Sequence, residues 1–368
     1  MKKKNLCKTL LKTMCIVLGI LILALLAYIV YLYASYYRIE DNQELVVEAP
    51  VDDTTTGAAA VLATDTEYSA VTYNIGFGAY LPDYSFFMDG GTSSWAESPE
   101  TVQYAINGAG ELVKSLDPDF ALIQEIDLDA TRSYHTDEYE MLRNLLPEYT
   151  TVFAQNYDSA FLFYPFTQPH GSSRAGLGLF SKYPVSSALR RSFPISTSFS
   201  KFFDLDRCYS VSRIPVDNGK ELVIFNLHMS AYGNSDEIRK GQIEMLCNDM
   251  AKEYEAGNYV LCGGDFNHDL KASEEDAENC ESWAFPFPRT ELPEHFAFCL
   301  DLLSSEEQAA LWNSARNADM EYVPGVTYTV TLDGFIISDN IECLSYENVN
   351  TGYSYSDHDP VKVGFALK

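Results

Sequence analysis

The segment GNYVLCGGDFNHDL, residues 257–270, constrains the fold more than any other part of the sequence. The apolar run Tyr259–Cys262 predicts a buried strand that continues through two glycines. Successive side chains of a strand point to opposite faces, so Asp265 and Asn267 share one face while Phe266 points into the core. By itself this pattern is as typical of a polar turn as of a catalytic pair, so its interpretation depends on the other strand ends.

Strands and helices alternate in the first half of the chain. Two segments carry apolar residues at helical spacing, and three short apolar segments predict strands. In chain order the predicted elements are strand 69–75, helix 101–116, strand 120–123, helix 138–146 and strand 150–154. This order indicates an α/β fold.

Polar residues stand at the ends of several predicted strands. Each has an ordinary alternative, because a carboxamide beside glycines is common in turns, an acid there is often solvated, and a single histidine is more often structural. An acid at the end of a buried strand also suits a hard cation, and an imidazole beside carboxylates suits acid–base chemistry. The residues at these positions are Asn74, Gln124, Glu125, His228, Asp333, Asp357 and His358.

The charge of the chain limits its partners. The formal net charge is −28, from 25 basic and 53 acidic residues, and five lysines fall within the first twelve residues. A body this acidic repels polyanions, which disfavours nucleic acid and anionic lipid surfaces. The eight cysteines show no C-x-x-C or zinc-ligand spacing, which indicates mostly free thiols rather than a disulfide scaffold.

Three residues of this acidic chain are candidates for contacts with a substrate. His170 and Arg174 flank a turn rich in glycine and serine, and Arg207 lies beside Asp206. A guanidinium group binds phosphate through charge-assisted hydrogen bonds. The alternative is that the arginines pair with surface acids. We predict that His170, Arg174 and Arg207 bind substrate.

An uncharged segment of 24 residues, Met14–Tyr37, follows the amino-terminal lysines. As a helix it would be about 36 Å long, enough to cross a bilayer. The lysines favour a cytoplasmic amino terminus, and the tyrosines at the far end favour an uncleaved anchor over a cleaved signal peptide or a buried helix. The sequence therefore predicts a cytoplasmic basic tail (1–13), a single transmembrane signal anchor (14–37), an acidic linker (38–67) and a catalytic domain (68–368) outside the cytoplasm, at the cell membrane.

Taken together, the polar strand ends resemble the endonuclease/exonuclease/phosphatase superfamily. This superfamily includes DNase I, the neutral sphingomyelinases, the inositol polyphosphate 5-phosphatases and the abasic-site endonucleases. The resemblance runs from about Tyr68 to the carboxyl end, and its motifs are Asn74, Gln124-Glu125, His228, Gly264-Asp265-Phe266-Asn267, Asp333-Gly334-Phe335 and Ser356-Asp357-His358. It implies a four-layer α/β sandwich of two facing mixed β-sheets flanked by helices, and hydrolysis of a phosphoester with Mg²⁺.

The resemblance also implies roles for individual residues. Glu125 is similar to the principal metal ligand, with Asn74 and Asp357 as its partners. Asp265 is similar to the group that orients and deprotonates the attacking water. The remaining positions resemble groups that hold or polarise the phosphate: Asn267, His228, and His358 oriented by Asp333. These roles agree with the chemistry, since a cation, one base and positioned donors suffice for the reaction.

We expect an enzyme that acts on a small phosphoester or a lipid head group and works as a monomer. Mg²⁺ is the expected cofactor, with Mn²⁺ or Ca²⁺ as alternatives. Gly76 stands where abasic-site endonucleases carry an acid, and His228 resembles the DNase I and sphingomyelinase branches. The alternative functions are a DNase I-like nuclease acting on the secreted side of the membrane and a catalytically silent binding domain.

Overall fold

The protein is described here from a computed structural model. The structure describes residues 2–52, 61–231, 236–273 and 283–368, so residues 53–60 of the predicted linker and Cys280 lie outside the described residues. The chain divides into two compact units, one that ends at Arg38 and one that extends from Ile39 to Lys368.

The first unit is one long helix, α1 (Lys2–Ser35). Its segment Leu6–Ser35 has a mean hydropathy of 2.9 and is long and apolar enough to cross a membrane. All but two residues of the predicted span 14–37 fall within this helix.

The second unit contains two seven-stranded sheets that face each other, which confirms the predicted fold class. Across the first sheet the strands are β1 (Gln43–Glu44), β7 (Ser187–Ser192), β8 (Cys208–Pro215), β9 (Glu221–His228), β10 (Tyr259–Asp265), β14 (Asp333–Ser338) and β11 (Phe296–Phe298). Across the second they are β15 (Ile341–Asn348), β16 (Val361–Leu367), β3 (Glu67–Asn74), β4 (Phe120–Ala130), β6 (Ser173–Ser181), β5 (Thr150–Asp158) and β2 (Val47–Glu48). A short separate ribbon pairs β12 (Ala315–Arg316) with β13 (Thr329–Val330).

In the described part of the chain, four α-helices accompany the sheets: α2 (Pro99–Leu116), α3 (Glu138–Leu145), α4 (Asp236–Glu255) and α5 (Ser305–Ala310). The start of α2 is fixed by Ser98, whose side chain accepts a hydrogen bond from the Thr101 amide, and by Pro99 in the first turn. Its apolar residues share one buried face at the spacing predicted from the sequence. The contacts place α2 beside α3, α3 beside β4, and α4 beside β10.

The main core lies between the two sheets. All seven residues of β10 are buried, and this strand contacts β3 and β4 of the opposite sheet. A second apolar cluster lies between the second sheet and the helices α2 and α3. Strands buried on both faces read as continuous apolar runs, and for this reason β10 is easily recognised in the sequence.

Part of the predicted acidic linker belongs to the folded unit. Gln43 pairs with Arg190 at the edge of the first sheet, and Val47 pairs with Val152 at the edge of the second. The chain is thus attached to the sandwich from Ile39 onward. Edge strands of two residues carry little periodicity, so the sequence predicted a linker and indicated only that residues 44–48 could pair as an edge strand.

Candidate active site

The register of the first sheet brings three predicted site residues to one edge. Strands β9 and β10 run parallel, which places His228 opposite Asp265. Strand β14 runs antiparallel to β10, which places Asp333 opposite Asp265 on the other side. The carboxyl end of one strand and the amino end of its antiparallel neighbour thus deliver their side chains to the same place.

The second sheet contributes two residues that face this edge. Strands β3 and β4 run parallel, with Asn74 opposite Gln124. Glu125 follows in a break of the β4–β6 register between Ile123 and Ile126 and has a φ of +55°. A bulge can turn a side chain away from the regular alternation, and a non-glycine residue at positive φ costs about 1–3 kcal/mol, a strain that is often found at functional sites. We call His228, Asp265 and Asp333, together with Asn74 and Glu125, the polar edge.

Asn74 links the two sheets at the polar edge. Its side-chain amide donates to Glu125 Oε1 at 3.1 Å and to Asp265 Oδ2 at 3.1 Å. Its side-chain oxygen, Oδ1, accepts a hydrogen bond from the Gly76 backbone amide at 3.0 Å. In this arrangement Asn74 positions two carboxylates, and its predicted role as a metal ligand stays a prediction.

Asp265 is the most central group of the site. The pKa of Asp265 is raised to about 7, mainly by burial; the neighbouring His358 lowers it, and the charge of Asp333 contributes to the rise. Its Oδ1 accepts a hydrogen bond from the Asn267 amide at 2.8 Å, and its Oδ2 lies 3.5 Å from His228 Nε2 and 3.8 Å from His358 Nε2. A carboxylate with this pKa can accept a proton near neutral pH.

Asn267 is held close to Asp265 by its own backbone and side chain. Its φ is +51°, and its side-chain amide donates to the Met229 carbonyl at 2.9 Å. The turn after β10 therefore fixes both polar side chains of the sequence Asp-Phe-Asn, while Phe266 is fully buried, as predicted.

A buried ion pair joins His358 to Asp333. His358 Nδ1 lies 2.7 Å from Asp333 Oδ2, and Ser314 Oγ donates to the same oxygen at 2.7 Å. Burial opposes the positive charge, yet Asp333 raises the pKa of His358 well above its ordinary value. The predicted orientation of His358 by Asp333 agrees with this geometry, whereas no sequence pattern indicated Ser314.

His228, the other histidine of the site, has its pKa shifted in the direction opposite to that of His358. Burial lowers the pKa of His228 well below its ordinary value, and the positive charge of Arg207 adds to this effect. Its Nδ1 is buried without a hydrogen-bond partner in the described part of the chain. His228 is therefore a neutral imidazole whose Nε2 faces Asp265 and Glu125, at 3.5 Å and 3.9 Å.

A second acidic group lies around Glu125. Burial and then repulsion from Asp357 raise the pKa of Glu125, and burial raises the pKa of Asp357. Asp89, from the loop after β3, belongs to the same acidic group. Burial and then the charges of Asp357 and Glu125 raise the pKa of Asp89 to about 7. Crowded carboxylate oxygens fit a hard divalent cation such as Mg²⁺, whose charge would stabilise their ionised forms.

Among the described residues, one set of three has the spacing of a metal site, and it does not include Glu125. Asp265, Asp333 and His358 offer ligand atoms that all lie within 4.8 Å of one another. His358 Nδ1 and Asp333 Oδ2 are, however, already joined by their hydrogen bond at 2.7 Å. The donor chemistry around Glu125 therefore suits a hard cation better than this set does.

The three predicted substrate contacts differ in their surroundings. Arg207 is only 7% exposed, and its Nε and Nη1 have no hydrogen-bond partner among the described residues. Arg174 is half exposed and pairs with Asp129 at 3.1 Å. His170 is buried against the rings of Phe86 and Phe87, and burial lowers its pKa to about 3. Of the three, Arg207 alone has a charged group that the described protein leaves unpaired.

Arg132 is a residue of the site region that the sequence did not indicate. Its guanidinium donates to both oxygens of the buried Asp127, at 2.8 Å and 3.1 Å, and lies 3.7 Å from the centre of the Phe77 ring. Its charge lowers the pKa of Glu125 and thus opposes the effect of burial there. Only the three-dimensional packing reveals this role, because Thr-Arg-Ser after a strand is an ordinary surface pattern.

Two facing mixed sheets, with acids, amides and histidines gathered at one edge, define a DNase I-like phosphoesterase fold. The sequence model of the endonuclease/exonuclease/phosphatase family matches residues 71–302. The chain belongs to this family, whose members are metal-dependent phosphoester hydrolases.

Solved structures with similar folds support this assignment. An endonuclease/exonuclease/phosphatase from Beutenbergia cavernae has a TM-score of 0.55 and 14% identity, covering 82% of this chain and 72% of that one. D. rerio TDP2 complexed with a single-strand DNA product has a TM-score of 0.54 and 14% identity, covering 82% and 100%. ANGEL2, a 2',3'-cyclic phosphatase in complex with adenosine-2',3'-vanadate, has a TM-score of 0.55 and 12% identity, covering 82% and 96%. At these identities the likeness shows the fold alone, and a comparison with curated proteins found no significant sequence match.

Proposed function

We propose that this protein is an Mg²⁺-dependent phosphoester hydrolase that acts outside the cytoplasm on a small phosphoester or a lipid head group. The observation that carries the proposal is the meeting of two groups at the polar edge, the carboxylates around Glu125 and the acid–base group around Asp265, joined by Asn74. Family membership supplies the reaction class. The acidity of the chain disfavours a nucleic acid substrate.

Glu125 and Asp357 are the residues that would hold the cation. When bound, a divalent cation neutralises charge that develops on the phosphoryl oxygens and lowers the pKa of coordinated water. Asn74 keeps Glu125 and Asp265 in fixed relative positions through its two hydrogen bonds. This arrangement keeps the cation ligands and the base apart while leaving both next to the same phosphate.

Asp265 accepts the proton of the attacking water. Its pKa of about 7 leaves a working fraction ionised near neutral pH and keeps the carboxylate basic enough to take the proton. The Asn267 amide holds Oδ1, so Oδ2 is the oxygen that faces the histidines and the Asn74 amide. A fixed acceptor of this kind needs no rearrangement during the reaction.

The two histidines donate hydrogen bonds in different charge states. His358 is protonated because Asp333 raises its pKa, and its Nε2 can donate to a phosphoryl oxygen or to the leaving oxygen. His228 is neutral and can donate from Nε2 without adding charge. Donors placed where negative charge develops stabilise the transition state.

Arg207 is the residue best suited to a second contact with substrate. Leaving a buried guanidinium unpaired is costly, and an anionic phosphate would provide the missing acceptors. Arg207→Met should raise KM about tenfold or more, since a hydrogen bond to a charged group contributes about 1.5–3 kcal/mol. Its effect on stability should be small because the described protein provides no partner to lose. Arg213→Met, which breaks pairs with Glu221 and Glu253, is the contrasting variant that should lower stability instead.

The test of the proposed reaction uses the purified full chain. We expect Mg²⁺-dependent hydrolysis of bis(4-nitrophenyl) phosphate, loss of activity with EDTA, and a fall of about 100-fold or more for Glu125→Gln and for Asp265→Asn. Glu111→Gln, on the exposed face of α2, is the matched control. Equal rates for Glu125→Gln and wild type would contradict the assigned role. Degradation of plasmid DNA at physiological salt would favour the nuclease alternative.

The side of the membrane is tested separately. The lysines that precede the uncharged segment 14–37 favour a cytoplasmic amino terminus. Protease added to intact cells should therefore degrade the unit from Ile39 to Lys368 and leave an amino-terminal tag protected. Protection of the folded unit would contradict an extracytoplasmic location.

A further inference from the structure

The folded unit begins at the end of the first sheet that also carries part of the polar edge. The Ile39 amide donates to Asp206 Oδ2 at 2.6 Å, and Ser192 Oγ donates to the Ile39 carbonyl at 3.2 Å. Ser192 pairs with Cys208, and the next pair along the sheet is Tyr209 with Leu227, the neighbour of His228. Ile39 is therefore held at the end of the first sheet that carries His228 and Asp265.

The connection from α1 to this point is short. Helix α1 ends at Ser35, so only residues 36–38 separate it from Ile39. Four residue steps of fully extended chain span about 14 Å at most. If α1 crosses a membrane, this connection limits how far Ile39 can lie from the end of the helix, whereas a free linker of 30 residues would have allowed a much longer separation.

Aromatic and apolar side chains are exposed on the loops that leave the same end of the sandwich. Three loops contribute them: the loop after β3, the loop between β5 and β6, and the loop between β7 and β8. Phe166 is 84% exposed, Tyr164 63%, Met88 54% and Phe199 49%. We call these side chains, together with Phe163 and Phe203, the aromatic rim.

The aromatic rim borders the candidate cation site. The rings of Phe87 and Tyr164 lie 5.9 Å apart, so the first two loops form one surface. Met88 is followed by Asp89, whose pKa responds to Glu125 and Asp357. The pairing of Arg174 with both Asp129 and Asp158 places the second loop beside the carboxyl end of β4, a few residues beyond Glu125. The first two loops of the rim therefore lie on the Glu125 side of the candidate site, and the third leaves the same end of the first sheet, where β7 ends and β8 begins.

We propose that the aromatic rim docks the polar edge onto the zwitterionic surface of the lipid bilayer that anchors α1. Aromatic side chains favour the membrane interface, where their rings lie at the level of the head groups. Exposed apolar clusters of this kind mark interaction sites. All 53 acidic residues follow Arg38, whereas six of the 25 basic residues precede Ile39, so an anionic surface would repel the folded unit. The proposal concerns binding and goes beyond the proposed hydrolysis.

The experiment places a tryptophan in the rim of the full chain, reconstituted in phosphatidylcholine bilayers with brominated acyl chains. Phe166→Trp is the test variant, and Leu344→Trp, 45% exposed on β15 in the half of the second sheet away from Asn74, is the matched control. Each signal is taken after subtraction of the parent chain. An aromatic ring at the interface reaches about 5–10 Å into the bilayer, so we expect at least about twofold quenching at 166. No comparable quenching is expected at 344.

Equal quenching at the two positions, or none at 166, would overturn the proposal. The tryptophan at position 166 could instead be shielded from aqueous quenchers only at high protein density. That result would identify a second copy of the chain as the occupant of the rim and would also overturn the proposal. Replacing part of the lipid with phosphatidylserine should reduce quenching at 166. Fluorescence quenching does not depend on turnover, so a failure of the proposed hydrolysis would not affect this result. Absence of quenching would likewise leave the proposed hydrolysis untouched.

Discussion

Asp333→Asn tests whether the buried pair with Asp333 sets the charge of His358. The substitution keeps the size of the side chain, and its carbonyl oxygen can still accept from His358 Nδ1 and Ser314 Oγ. What it removes is the negative charge. A hydrogen bond to a charged group contributes about 1.5–3 kcal/mol, and each 1.36 kcal/mol of barrier is a tenfold change in rate, so kcat/KM should fall about 10- to 150-fold. In addition the new amide nitrogen would occupy the buried position of Asp333 Oδ1, which has no described partner.

The sign of the pH dependence provides a sharper test. Asp333 raises the pKa of His358, so wild-type His358 stays protonated at neutral pH, whereas in the variant the imidazole loses its proton at a lower pH. The deficit of the variant should therefore be smallest near about pH 6 and grow toward about pH 9. Initial rates of bis(4-nitrophenyl) phosphate hydrolysis across this range measure it.

The chain contains a matched control for this variant. Asp339 also pairs with a histidine, His295, at 2.7 Å, but both side chains are about half exposed and far along the sheet from the site. Asp339→Asn should leave kcat/KM unchanged. A deficit for Asp333→Asn that is the same at every pH, or no larger than that of Asp339→Asn, would refute the assigned role of the pair.

Three further predictions concern the surroundings of the site. Arg132→Met should lower the free energy of unfolding by about 3–5 kcal/mol, because it leaves the buried Asp127 carboxylate unpaired, and adding Asp127→Asn should recover part of the loss in urea denaturation. The pKa of His170 falls to about 3 in the folded state, so its contribution to stability is complete above about pH 6.5 and is lost as the pH falls toward 3; wild type should lose roughly 2 kcal/mol more than His170→Asn between pH 7 and pH 5. Gly264→Ala should abolish most activity and lower stability, since its φ is +147° and a Cβ there would lie 2.1 Å from the Leu227 carbonyl oxygen.

The positions of most site residues could be predicted from the sequence because they stand at strand ends. Strand β10 is apolar throughout, so its end at Asp265 was visible from composition alone. The same reasoning located His228 at the end of β9, and it placed Glu125 at the end of a strand that in the structure continues to Ala130. Local periodicity suffices here, since the end of a buried strand is where polar residues begin again.

Residues that act through contacts distant in the chain could not be predicted in this way. Ser314 reaches Asp333 from another segment, and Asn74 reaches Asp265 across 191 residues of sequence. The attachment of Ile39 beside Asp206 likewise depends on a partner 167 residues away. No pattern within a short window contains such information, because each of these contacts depends on the packing of two sheets.

The different charge states of the two histidines are decided by this same long-range packing. Both imidazoles are buried, and both have Nε2 within 4 Å of Asp265 Oδ2. They differ in what faces the other ring nitrogen, since His358 Nδ1 meets Asp333, whereas His228 Nδ1 meets no described partner and Arg207 adds a positive charge nearby. Different neighbours thus shift the pKa values of two similar groups in opposite directions, and one site obtains both a charged and a neutral donor. The antiparallel register that sets Asp333 opposite Asp265 therefore determines which histidine carries the proton. The sequence shows that both histidines are present, but it does not show which of them is charged.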